Sequence, residues 1–186
     1  MHYADIPEDL RDQLVAQFEE RIAADPGSPW SDFFRSEIDL LCARADEAEG
    51  RLKDLAIHED PMVRCHAFQA LGQLKQADGK LDEAMTFYQR AALLEDRPGY
   101  SLIRQADIHL DRGEFEPAER IHLAVLASLE SSDGVTALAL AESMGRALAA
   151  QGRDAEALEA IKLLGARYPD LREFDALLEQ YHGRHQ

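Results

Sequence analysis

The chain has 186 residues, and its 36 acidic residues against 20 Lys and Arg give a formal charge of −16. A field of that sign repels phosphate backbones and anionic membranes, so neither nucleic acid nor a membrane surface is an expected partner. The length suits one ordinary domain or about four to six stacked helical pairs, and an Ala-, Leu- and Glu-rich composition poor in β-branched residues predicts helices and no sheet.

The opening run MHYADIPEDLRDQL lacks a basic cluster followed by an apolar stretch. No segment of about 18 apolar residues is available to span a bilayer, and a cytoplasmic location is the expectation. The first helix follows at once: Leu10, Leu14, Phe18 and Ile22 recur every four residues, with Val15 widening the stripe and charged residues filling the other face. The run DPGSP at residues 25–29 ends it, and Ser28 or Ser31 is placed to cap a second helix reaching about residue 45, with Trp30, Phe33, Phe34, Ile38 and Leu41 on its apolar side. A third helix, from about residue 47 to residue 58, carries Leu52, Leu55 and Ile57 before a break at Glu59, Asp60 and Pro61.

The stretch HEDPMVRCHAFQALG brings His58, Cys65 and His66 close together in sequence. Neighbouring helical side chains point about 100° apart, so Cys65 and His66 do not converge on one ion, and no further Cys or His pair completes a zinc set. No metal and no cofactor are expected. Both cysteines, Cys42 and Cys65, read as small core hydrophobes in a reducing compartment. The ending HGRH at residues 182–185 reads as a tail.

From here an internal repeat emerges. GKLDEAMTFYQRA, GEFEPAERIHLAV and GRDAEALEAIKLL start at Gly79, Gly113 and Gly152, each with an alanine five residues on, at Ala84, Ala118 and Ala157. Each glycine is suited to end one helix, and each alanine lets the next helix approach closely. The preceding segments also correspond, through Phe68, Leu71 and Gly72, then Leu102 and Ala106, then Ala141, Met144 and Gly145. A five-residue insertion in the second interval falls in the polar run at residues 131–134, where a loop leaves stacking intact.

On these residues, residues 65–170 resemble the tetratricopeptide-repeat (TPR) family. Ala84 and Tyr88 carry the first unit and Ala157, Ile161 and Pro169 the third, while His122 occupies the aromatic slot of the middle one. Asp60, Pro61, Val63, Ala67, Leu71 and Gly72 also resemble the start of a HEAT-type helix. The fold class that follows is all-α: a right-handed helical-repeat solenoid of eight to ten helices. It has irregular N-terminal helices over residues 1–64, three TPR-like pairs over residues 65–170, and a capping helix and tail over residues 171–186.

The resemblance implies that the first helix of each pair lines a concave groove. By register, that groove holds His66, Gln69 and Gln73, then Tyr100, Ile103, Arg104 and Asp107, then Glu142 and Arg146. His109 and His122 fall in slots that usually pack together, which raises the prospect of a pH-sensitive pair. The Lys and Asn set with which some TPR domains hold a C-terminal carboxylate is missing. No phosphate loop, nucleophile elbow or zinc-protease helix is present.

The expected function is a non-enzymatic protein-interaction module that binds a peptide or helix of a partner, basic or amphipathic in view of the charge. A small acidic chaperone holding an aggregation-prone client is the alternative. Self-association through the N-terminal helices is left open.

Overall fold

A computed structural model describes residues 6–96 and 99–182. Among them every regular element is an α-helix. The chain divides into two compact units, Met1–Glu95 and Asp96–Gln186. The first holds α1 (Glu8–Ala24), α2 (Pro29–Leu41), α3 (Ala45–Leu55), α4 (Pro61–Ala77) and α5 (Leu81–Ala92). The second holds α6 (Tyr100–Asp111), α7 (Phe115–Ser128), α8 (Gly134–Ala150), α9 (Asp154–Gly165) and α10 (Glu173–His182).

Local chemistry accounts for the helix boundaries. Two helices open with a capping side chain followed by proline: the backbone N–H of Trp30 donates to Ser28 Oγ (3.2 Å) ahead of α2, and that of Met62 to Asp60 Oδ1 (2.8 Å) ahead of α4. Ser28 is thus the cap. Ser31 instead sits inside α2 with its hydroxyl turned back to the carbonyl of Asp25.

The three repeat glycines all adopt a left-handed backbone, with φ of +74° at Gly79, +74° at Gly113 and +71° at Gly152. In each case the next residue closes a six-residue loop onto the preceding helix: the backbone N–H of Lys80 donates to Lys75 O (2.8 Å), that of Glu114 to His109 O (2.8 Å) and that of Arg153 to Leu148 O (3.0 Å). This satisfies carbonyls that a helix end leaves without partners. Ala84, Ala118 and Ala157 then lie fully buried where the second helix meets the first.

The same turn occurs once more, between α2 and α3. Ala43 takes φ +58°, Arg44 N donates to Asp39 O at 2.7 Å, and Ala48, five residues on, is fully buried. A helical pair built like the other three therefore stands within residues 1–64, the stretch read from sequence as irregular. It escapes a glycine-based reading because an alanine holds the left-handed position.

The second unit has one continuous core, in which Ile103, Val125, Leu140, Ile161 and Leu164 meet Tyr168, Phe174, Leu177 and Tyr181. Of these, Phe174, Leu177 and Tyr181 come from α10, which covers the last pair. The first unit has three smaller packets: Leu40, Ala48 and Leu74; Leu52, Ala70 and Leu71; Leu55, Val63 and Ala67. Half-buried aromatic side chains lie around them. Of the expected tail at residues 182–185, His182 ends α10 and residues 183–185 lie outside the described residues.

Candidate partner-binding surface

In the second unit the first helices of the two pairs, α6 and α8, pack against each other, and a buried carboxylate lies where they meet. Asp107, on α6, is 1% exposed. Its Oδ1 accepts the Ser143 hydroxyl at 2.6 Å and an N–H from Arg146, both from α8, and its Oδ2 faces Arg104 Nη2 at 3.1 Å. Burying a carboxylate is costly unless it is paired and hydrogen-bonded, and these donors meet that demand. The Arg104 guanidinium also lies over the Tyr100 ring, 5.3 Å from its centroid.

Behind Ser143 stands His122, from α7 and equally buried, with Nε2 2.8 Å from Ser143 Oγ. Because Ser143 gives its own proton to Asp107, the network assigns the imidazole proton to Nε2, which donates to the serine oxygen. Burial pushes the His122 pKa down to about 4, with Asp107 opposing the shift and Arg146 adding to it. The trio is composed like a hydrolase triad but is wired differently. Serine, not histidine, is the middle member, its proton is committed to the carboxylate, and all three groups are buried, so no nucleophile faces a substrate.

The surface above this network carries four of the predicted groove residues. Arg146 and Arg104 stand over Asp107, Tyr100 flanks Arg104, and Glu142 is exposed one turn before Arg146 on α8. Two other predicted residues face inward. Ile103 is fully buried in the core, and Asp107 is covered by the groups it binds. Neither offers atoms to a partner: a helix face assigned by register includes positions tilted toward the neighbouring helix, and these two lie on that edge.

The remaining three belong to the first unit. His66 packs edge-on against Trp30 and Phe33, at 5.2 and 5.9 Å between ring centroids, and burial lowers its pKa. Gln69 donates to Glu95 Oε1 at 2.7 Å, and Gln73 is half-buried. His66 is therefore part of an aromatic cluster that continues through Phe34 to Phe18, stacked at 5.5 Å, rather than an open groove residue.

The histidine and cysteine readings resolve individually. His109 Nδ1 lies 2.6 Å from Glu114 Oε2 at the α6–α7 turn, whereas His122 faces Ser143, so the two imidazoles have separate partners. Cys65 is buried with its thiol toward the Ala91 carbonyl (3.6 Å), and burial pushes its pKa up to about 11. Cys42 is exposed at the end of α2 and is not the core residue its sequence context suggested. His58 Nδ1 accepts from the backbone of Asp60 at 3.0 Å, so His58, Cys65 and His66 are engaged separately.

Ser143 was the residue that sequence reasoning missed as a network member. Only the packing of α8 on α6, 36 positions apart in the chain, links it to Asp107.

No protein-family model and no curated protein matches this sequence. Among solved structures the chain is similar to TTC0263, a thermophilic TPR protein in Thermus thermophilus. The identity is 20% over 93% of this chain and 91% of that one, with a TM-score of 0.66. It is also similar to BtubC (BKLC) from P. vanneervenii, with 16% identity over 98% of this chain and 86% of that one and a TM-score of 0.45. The likeness to the Thermus protein is one of fold: this chain is an all-α helical repeat of TPR type.

Proposed function

We propose that the protein is a non-enzymatic interaction module that binds a peptide segment or helix of a partner protein in the cytoplasm. The observation that supports this reading most directly is the arrangement on α6 and α8. Arg104 and Arg146 are held at the surface by a buried carboxylate, and Tyr100 lies under the Arg104 guanidinium, which fixes the two arginines before anything binds. Pre-positioned aromatic and arginine side chains limit the entropy lost on association. Predicted residues His66, Gln69 and Gln73 are a lesser part of the binding surface in this reading, because all three are at least half-buried. The net charge of −16 favours a segment that is basic or amphipathic overall.

The test is capture of proteins on the immobilised chain, identification of the bound species, and repetition with Arg104→Glu and Arg146→Glu. Loss of a reproducible partner in either variant is expected. Equal capture by wild type and both variants would remove the assignment of this surface.

A second reading, a small acidic chaperone, draws on a different observation: Phe18, Trp30, Phe33 and Phe34 are only half-buried and form a connected aromatic surface. It predicts that a molar excess of the chain suppresses light scattering from a heat-unfolded reporter enzyme and that Trp30→Ala with Phe34→Ala abolishes the effect. Unaltered aggregation in the presence of the wild-type chain would dismiss it.

A further inference from the structure

We infer that α1 and the start of α2 form a second docking surface, separate from the one on α6 and α8, and that it takes an amphipathic helix of a partner protein with lysine or arginine along its flank. Two helices of equal length give the starting point. α1 and α4 each span 17 residues, yet α4 packs on α2, α3 and α5 and buries eight of them, whereas α1 packs on α2 and buries none. Even α10, a shorter helix that covers the last pair, buries Phe174, Leu177 and Tyr181.

What α1 leaves uncovered is apolar. Leu14, Val15, Phe18 and Ile22 are half-buried and Leu10 is 38% exposed, so α2 covers only part of their stripe. Through Phe18, stacked on Phe34, the face continues along α2 to Phe33 and Trp30, with ring centroids 5.5, 6.1 and 6.0 Å apart in turn. A lone helix of about 17 residues is marginal in water and owes its stability to what packs on its apolar side, so a further helix of roughly 25 Å would complete the cover.

Charge decides the occupant. Glu8, Asp12, Val15, Glu19 and Ile22 follow at alternating intervals of four and three residues, which sets three carboxylates in one row with the edge of the apolar face. All three are exposed, and Glu8 and Asp12, one turn apart, repel each other. The two arginines of α1 serve the fold: Arg11 donates to the carbonyl of Ile6 at 3.2 Å, and the Arg21 guanidinium lies over the Phe34 ring, 5.3 Å from its centroid. Counted in full, residues 8–38 hold eight acidic side chains and three arginines, and the third arginine, Arg35, is paired with Asp32 at 2.6 Å. A second copy of this chain would lay the same carboxylates against one another, whereas lysine or arginine flanking an apolar stripe meets both the charge and the apolar face.

The experiment is selection of a phage-displayed library of peptides of roughly 18 residues on the immobilised full-length chain, with leucines fixed in one helical stripe and the positions beside the stripe randomised. Lysine and arginine are expected to be enriched at those positions, and aspartate and glutamate depleted. A labelled peptide of the enriched sequence, followed by fluorescence anisotropy, should bind about tenfold more weakly to the double variant Asp12→Lys with Glu19→Lys. Glu159→Lys with Glu179→Lys, at exposed positions of α9 and α10, changes the net charge equally and should weaken binding by less than about twofold. Val15→Gln, at the edge of the apolar face, should weaken it by about fivefold. Unchanged circular dichroism and Trp30 emission establish that each variant is folded.

Equal weakening by the two charge-reversed double variants would assign the effect to overall charge and overturn the inference. Enriched peptides without basic flanks would overturn it in favour of a surface for unfolded clients, and the absence of enriched peptides would overturn it outright. A chain that sediments as a dimer, and as a monomer once Val15→Gln is introduced, would put a second copy on the face and overturn it as well. Peptides whose binding depends on Arg104 and Arg146 but not on Asp12, Val15 and Glu19 would overturn it while leaving the α6 and α8 surface in place.

Discussion

The two units share a helix-pair grammar but fill it with different chemistry. In the second unit aliphatic side chains from every helix meet in one cluster, and a polar chain of His122, Ser143 and Asp107 runs through the interior. In the first unit the apolar packets are small and separate, α1 buries none of its residues, and aromatic side chains lie half-exposed around the edge. The middle slot of each second helix makes the contrast concrete. Leu52 and Tyr88 fill it in the first unit, His122 and Ile161 in the second, and all four are buried. One repeat geometry therefore accepts an aliphatic, an aromatic or a hydrogen-bonded polar residue. The choice decides what each pair is sensitive to: crowding where Tyr88 fills the slot, protons where His122 does.

The largest expected effect tests the proton side. His122 is held neutral inside the fold with a pKa near 4, against 6.5 in its ordinary state. A base whose pKa is depressed by folding binds its proton more readily when unfolded. Its contribution to stability is therefore complete above about pH 6.5 and declines as pH falls toward about 4. Over that window the loss is roughly 3 kcal/mol, at about 1.4 kcal/mol for each pH unit. Urea unfolding followed by far-UV circular dichroism at a series of pH values measures it. His122→Gln should flatten the slope over this interval, and parallel profiles for variant and wild type would refute the assignment.

The crowding side has its counterpart at Gly72. A Cβ added there would lie 2.6 Å from Tyr88 Cε1 and within 2.9 Å of two further ring atoms, and Tyr88 is fully buried with its hydroxyl donating to Gln76 Oε1 at 3.2 Å. In the second unit the corresponding place on α6 is already an alanine, Ala106, where the smaller His122 occupies the Tyr88 slot. Gly72→Ala should cost about 2 kcal/mol through overpacking. Tyr88→Leu, itself destabilising, should remove most of the additional cost of Gly72→Ala when the two are combined. Trp30, the sole tryptophan, reports this unit by fluorescence. Additive costs would mean that the ring is not what excludes the methyl group.

The two buried aspartates offer a smaller and more symmetrical comparison. Asp107→Asn removes the charge that holds Arg104 and Arg146, and Asp39→Asn does the same for Arg44 and Arg51. The arginines released in either case are a quarter to a half exposed and gain hydration, so the cost stays near about 1 kcal/mol rather than the several expected of a closed pair. Asp107→Asn should cost the more of the two, because Ser143 and His122 depend on the same carboxylate. Equal urea midpoints for the two variants would show that the chain to His122 adds nothing.

What was legible in the sequence follows the same division. Gly79, Gly113 and Gly152 announce their turns because left-handed backbone selects glycine, and the alanine five residues later confirms the register. Arg104 and Arg146 were legible as surface residues by that register. The burial of Asp107 was not, since a carboxylate on a helix reads as solvent-facing until the donors that compensate it are known, and Ser143 and Arg146 arrive from a helix 36 to 39 positions later. His66 was misleading for a related reason. The register places it on α4, but the aromatic residues that pack against it come from α2, outside residues 65–170.

The smallest effect concerns the turn where an alanine holds the left-handed position. Ala43 is exposed and holds φ +58°, with the Arg44–Asp39 backbone bond closing the turn as glycine does at the other three. An L-residue with a Cβ pays about 1 to 2 kcal/mol for this conformation, while glycine brings an unfolded-state entropy penalty of roughly 0.5 to 1 kcal/mol. The difference leaves Ala43→Gly stabilising by about 0.5 to 1 kcal/mol, the reverse of what the same substitution does inside a helix. Gly79→Ala, at the matching turn where φ is +74°, should destabilise by a similar amount. Opposite shifts of the Trp30-detected urea midpoint would establish the α2–α3 turn as energetically equivalent to the glycine turns. A lower midpoint for Ala43→Gly would show instead that this pair is held in a conformation of its own.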